Sequence, residues 1–64
     1  MYINKIKKIR NEKGITLEKL ANLAGISPGY LCHLERGNRK NPSIEVMNNI
    51  SNALNKSIAE VFFE

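Results

Sequence analysis

The chain contains no aspartate, one histidine and one cysteine, and each scarcity removes a class of chemistry. The single thiol, Cys32, cannot form an internal disulfide, so no oxidising compartment is implied. Cys32 and His33 are adjacent, and no further Cys or His completes a ligand set, so no metal site is expected. There is no Asp, no recognisable nucleophile–base pair and no Gly-rich phosphate loop. The chain therefore does not read as an enzyme, and no cofactor is expected. No uninterrupted apolar stretch follows Lys5, Lys7 and Lys8, which argues against a signal peptide. No run approaches membrane-spanning length. The expected location is the cytoplasm, with no membrane partner.

What is present fits one small domain spanning residues 1–64. A chain of this size buries only about 60% of the surface its unfolded form exposes, leaving little room for an enclosed active-site cavity. Apolar residues make up 42%, an ordinary globular content that fits disorder poorly, although only two Tyr and two Phe are aromatic. The formal charge is +4 and the sequence pI about 9.5, a balance that permits a polyanionic partner without proving one. Position says more than the sum. Lys5, Lys7, Lys8, Arg10 and Lys13 lie early, Arg36, Arg39 and Lys40 follow at mid-chain, and Glu45, Glu60 and Glu64 fall in the last third.

Punctuation places five helices. The first is expected from about Ile3 to Lys13, with Ile3, Ile6 and Ile9 on one stripe and Gly14 as its stop. Thr16 caps the second, which ends near Ala24. Ser27 caps the third, Pro28 takes its first position and Gly37 ends it. Ser43 opens a fourth, with Ile44, Met47, Ile50 and Leu54 at helical spacing. Ser57 with Glu60 three residues on is a capping box for a short fifth helix through Ile58, Val61 and Phe62. No strand-like alternation competes, so an all-α fold is expected.

Residues 16–36, TLEKLANLAGISPGYLCHLER, carry the functional signal. Leu20, Ala21, Ala24, Ile26, Leu31 and Leu34 fall where two helices crossing steeply need apolar or small contacts. Ala21 lets the second helix approach the first, and Gly25 supplies the positive φ of a sharp turn. This is the spacing of a helix-turn-helix formed by helices two and three, the unit that lays its second helix in the DNA major groove. The leading positions of that helix, Ser27, Pro28, Gly29, Tyr30 and His33, are the base-reading candidates, with Cys32 adjacent. Pro28 can touch only a thymine methyl, and Gly29 can only allow close backbone approach. His33 reads either as a guanine contact or as an exposed surface histidine. Tyr30 offers a hydroxyl to DNA or a ring to packing. Cys32 reads as a small interfacial side chain rather than a redox sensor. The helix N-termini near Thr16 and Ser27 can offer backbone N–H groups to phosphate.

The motifs I-x-x-I-R-x-x-K-G-I-T at 6–16, L-A-x-x-A-G-I-S at 20–27, Y-L-x-x-L-E-R-G at 30–37, N-P-S-I at 41–44 and A-L-N-K-S-I-A-E-V-F at 53–62 resemble the Cro/CI-type (Xre family) DNA-binding domains. The loop from Gly37 to Pro42 resembles that of SinR-type regulators of spore-forming bacteria. The resemblance implies a compact five-helix lambda-repressor-like domain. It further implies a cytoplasmic transcriptional regulator, usually a repressor, that binds double-stranded DNA at an inverted-repeat operator as a homodimer. A protein antagonist or co-regulator is also possible for such a regulator. It places phosphate contacts at Arg36, Arg39 and Lys40, and a structural ion pair at Arg10 and Glu35. Two departures stand out. Pro28 and Gly29 replace residues able to bond base edges, and Leu17 stands where relatives carry a phosphate-contacting Gln. Many relatives carry a further domain, so this chain reads as a minimal Cro-like protein or a fragment.

Ile58, Val61, Phe62 and Phe63 are the candidates for self-association, with at least one phenylalanine expected in the core. The rival reading is a protein-interaction module that keeps the fold and binds DNA weakly or non-specifically, with Leu17, Leu23 and Phe63 as its sticky surface. The run Lys5, Lys7, Lys8 reads as a solvated helix face, and the Ile3–Ile6–Ile9 stripe as core-facing rather than membrane-facing.

Overall fold

The computed structural model describes residues 4–37 and 42–63. These fold into five helices, α1 (Ile6–Glu12), α2 (Leu17–Ala24), α3 (Pro28–Glu35), α4 (Ile44–Ala53) and α5 (Ile58–Phe62). Four of them open on a hydroxyl cap. Thr16 Oγ1 accepts from Lys19 N–H, Ser27 Oγ from Tyr30 N–H and Ser43 Oγ from Val46 N–H, each at 3.1 Å. At α5 the capping box is reciprocal: Ser57 Oγ accepts from Glu60 N–H at 3.1 Å while Glu60 Oε1 accepts from Ser57 N–H at 2.9 Å. Each satisfies donors that a helix start cannot satisfy alone.

The first helix is shorter than its periodicity predicts. Asn4 and Lys5 are not helical, and Ile3 lies outside the described residues. Asn4 Oδ1 accepts from Ile6 N–H at 3.0 Å, and Lys5 N–H donates to Val61 O at 2.8 Å. An Asx turn and a bond to α5 thus hold the backbone out of helical geometry until Ile6.

At the α2–α3 turn, Gly25 N–H bonds Asn22 O at 3.2 Å and Ile26 N–H bonds Ala21 O at 3.0 Å. This is a Schellman pair, and it requires the left-handed conformation that Gly25 takes at φ +72°. Asn55 does the same after α4 at φ +57°, with Lys56 N–H bonding Ser51 O at 2.9 Å. Asn tolerates this region better than other side chains do.

Twelve hydrophobic residues form one core: Ile6 and Ile9 from α1, Leu20, Ala21 and Ala24 from α2, Leu31 and Leu34 from α3, Met47 and Ile50 from α4, then Leu54, Val61 and Phe62. α2 is central, packing on both α3 and α4, while α4 packs on α5 and α5 on α1. The architecture is the lambda-repressor type. Ile44 is 63% exposed, since it is the first residue of α4 and lies a turn ahead of the buried set Met47, Ile50, Ser51 and Leu54. Val61 and Phe62 are fully buried within the single chain, so neither can present an association surface. Of the residues expected there, only Ile58 and Phe63 retain exposure, and both pack partly on the core. Among the described residues, no helix is long and apolar enough to cross a membrane.

Candidate nucleic-acid interface

α3 divides cleanly into two faces. Leu31 and Leu34 are fully buried and anchor it on the core. Ser27, Pro28, Gly29, His33 and Arg36 are exposed, while Tyr30 and Cys32 are half-buried. Gly29, His33 and Arg36 are spaced by four and then three, so they share one outward stripe of a helix. The side chain of Tyr30 also leans partly on the core.

The first turn of α3 is chemically sparse. Pro28 has no N–H, and the N–H of Tyr30 is taken by Ser27 Oγ. Gly29 therefore supplies the remaining amide of that turn. A Cβ built at Gly29 would meet nothing within 4 Å, and its φ is not left-handed. The fold does not require glycine there; the open space lies outward.

Thr16 is exposed at the N-cap of α2, and its hydroxyl is engaged with Lys19 N–H. Leu17 is half-buried against the core, whereas Leu23 on the same helix is 53% exposed. Leu17 thus joins the core, and the two do not form one exposed apolar spot. Lys7 and Lys8 are exposed on α1, and Arg36 is exposed at the C-cap of α3. Arg39 and Lys40, expected to grip phosphate, lie outside the described residues.

Arg10 ties the elements together from behind. Its Nε donates to Glu35 Oε2 at 2.8 Å, its Nη2 to Glu35 Oε1 at 3.3 Å and its Nη1 to Ile15 O at 3.0 Å. The two side chains are only 13% and 6% exposed. Arg10 therefore links the chain just before α2 to the last residue of α3. The Glu35 bond raises the Arg10 pKa above its ordinary value, against the opposing effect of burial, so the guanidinium is charged at every working pH. A pair this shielded does structural work, since either charge left alone would be buried without compensation.

Sequence reasoning passed over two residues. Ser51 is 1% exposed with no hydrogen-bond partner for its hydroxyl among the described residues; it lies four residues after Met47 and three before Leu54 on the buried face of α4, where only its polar type argues for the surface. Asn4 was masked by the apolar stripe running past it, although an Asn two residues ahead of a periodic segment is an Asx-turn signal.

With this geometry in place, comparison with known proteins is decisive. A helix-turn-helix family model matches residues 6–61. The chain belongs to this family. It is similar to the HTH-type transcriptional regulator SinR of Bacillus subtilis (strain 168), 41% identical over 58 residues, which cover 91% of this chain and 52% of SinR. The chain thus spans about half the length of that relative. A crystal structure of SinR, the master regulator for biofilm formation, in complex with DNA superposes at TM-score 0.81 with 41% identity, covering 84% of this chain and 86% of that one. A structure of a SinR–SinI protein complex superposes at TM-score 0.83 with 39% identity, covering 88% and 54%. At these identities the likeness extends beyond the shape of the fold.

Proposed function

We propose that the chain is a sequence-specific DNA-binding transcriptional regulator, a cytoplasmic repressor that inserts α3 in the major groove. The observation that carries this reading is the two-faced α3: leucines buried behind, and Gly29, His33 and Arg36 exposed along one outward stripe. The similar SinR structure is bound to DNA. In this reading Ser27, Pro28, Gly29, Tyr30 and His33 face base edges. Arg36, Arg39, Lys40 and the amide ends near Thr16 and Ser27 face phosphates.

The active species is a homodimer on an inverted repeat, with half-sites about 34 Å apart. Ile58 and Phe63, both partly buried, are what remains of the expected association surface. A protein antagonist fits too, since SinR is known in complex with SinI. The small number of base-reading side chains puts weight on DNA shape. No enzymatic step is assigned, and the regulators it resembles are transcription factors.

The reading is tested by selecting duplexes from a randomised library at near-physiological salt and sequencing what is retained. An enriched inverted repeat is expected. Retention without enrichment would mean phosphate binding alone, and no retention would favour the interaction-module reading, for which the exposed Leu23 is the supporting observation.

A further inference from the structure

The outward stripe of α3 is held from behind by a residue that lies before α1. Asn4 Nδ2 donates to the carbonyl of Leu34, 30 residues away, while its Oδ1 accepts from Ile6 N–H. The two bonds use the donor and acceptor ends of the amide, so together they fix which way it faces. Leu34 O belongs to the last turn of α3, where carbonyls have no intrahelical partner. It receives Gly37 N–H at 3.1 Å on one side and Asn4 on the other. Lys5 N–H then bonds Val61 O at 2.8 Å. Residues 4 and 5 thereby fasten the start of α1 to the end of α3 and to α5.

We propose that Asn4 is a positioning residue for sequence reading, setting the angle at which α3 meets the base edges. This rests on the DNA-binding function proposed above. α3 has eight residues and is therefore about 12 Å long, so a tilt of about 10° around its C-terminal end moves its first turn by about 2 Å. A recognition helix with long polar side chains absorbs such a shift by changing rotamers. This one presents Pro28 and Gly29, a ring and a bare main chain that cannot reach further. Its discrimination depends correspondingly steeply on helix angle. Leu31 and Leu34 set the depth of the helix, and the clamp on Leu34 O restrains its far end. Arg10 holds Glu35 one residue later, so the two polar contacts act on the same end of the helix.

Asn4→Asp separates the two bonds. It keeps the acceptor for Ile6 N–H and replaces the donor with a carboxylate oxygen facing Leu34 O. Asn4→Ser is the companion variant, keeping a short acceptor while losing the reach to Leu34. The full chain and both variants would be titrated with the duplex recovered by selection and with a scrambled duplex of equal length, after a thermal melt confirms cooperative folding. Asn4→Ser is expected to bind the scrambled duplex as the parent does, whereas the added negative charge of Asn4→Asp should weaken binding to both duplexes by a common factor. The preference of both variants for the selected duplex should fall by about fivefold, the worth of one neutral hydrogen bond. Amide chemical shifts from Leu34 to Gly37 should move as well. An unchanged preference in both variants overturns the proposal, and so does an equal loss on both duplexes in the charge-neutral Asn4→Ser, which would mark Asn4 as merely structural. A parent chain that binds both duplexes alike is a different result, and it overturns the DNA-reading function itself.

Discussion

Gly29 and His33 face outward one helical turn apart on α3, and they ask different things of a partner. At Gly29 an added methyl meets nothing of the protein, so Gly29→Ala should stabilise the fold by up to about 1 kcal/mol through helix propensity. The same methyl fills the space through which the backbone would approach DNA. Thermal melting and duplex titration should therefore move in opposite directions, with a stabler fold and weaker specific binding. Loss in both, or in neither, would remove Gly29 from the contact surface. His33→Ala is expected to relax preference at one or two base pairs per half-site, leaving random-duplex affinity alone. Arg36→Ala should lower affinity for every duplex and reduce the slope of log affinity against log salt by about one. Equal effects of His33→Ala on selected and random DNA would sink its role in reading.

Helices are bound to one another here chiefly by burial, with polar fastenings between Arg10 and Glu35, Asn4 and Leu34, and Lys5 and Val61. Glu35→Gln leaves the Arg10 guanidinium shielded without its counter-charge, and should cost about 3–5 kcal/mol of stability, read as a lowered denaturant midpoint. For a domain this small that is much of the total. The α5 cap carries a pH signature. Glu60 accepts the Ser57 amide, and this bond, with a further one from the Ser57 side chain, holds its carboxyl below the ordinary 4.5. A lowered folded-state value contributes stability above the ordinary pKa that is lost as pH falls through the folded one. Acidification below about pH 4.5 should thus lower the melting temperature of the parent more than that of Glu60→Gln, which keeps an acceptor for the cap without the titration. Parallel acid profiles would remove the cap as a source of that dependence. The elements with hydroxyl caps were legible in the sequence because Thr16, Ser27, Ser43 and Ser57 announce themselves beside the stripes they open. The α1 start was not, because Asn4 and Lys5 are committed by contacts with Leu34 and Val61 that lie far along the chain. Ile44 shows that helical spacing sets a face but not where the neighbouring helix stops covering it. Val61 and Phe62 show the converse, apolar residues near a chain end that serve the core.

Across the whole molecule, the balance of +4 permits a polyanionic partner and does not say where it docks. Exposed Lys7, Lys8, Lys13, Lys19 and Arg36 are spread over α1 to α3, and the exposed carboxylates of Glu12 and Glu18 lie among them. In the proposed reading the site rests on the outward stripe of α3 and on how the start of α1 holds that helix, more than on charge density. The positions of the candidate base-reading residues followed from the helix-turn-helix spacing, and the exposure of Ser27, Pro28, Gly29 and His33 follows from Leu31 and Leu34 occupying the opposite side. The most direct measurement is a titration of the isotopically labelled chain with duplex DNA, following every backbone amide. The largest shifts are predicted at Gly29, Tyr30, His33 and Arg36, with a second group at Leu17 and Glu18 where the α2 amides open. Shifts centred instead on Leu23, Ile44, Ile58 or Phe63, with α3 silent, would contradict a recognition helix in the major groove.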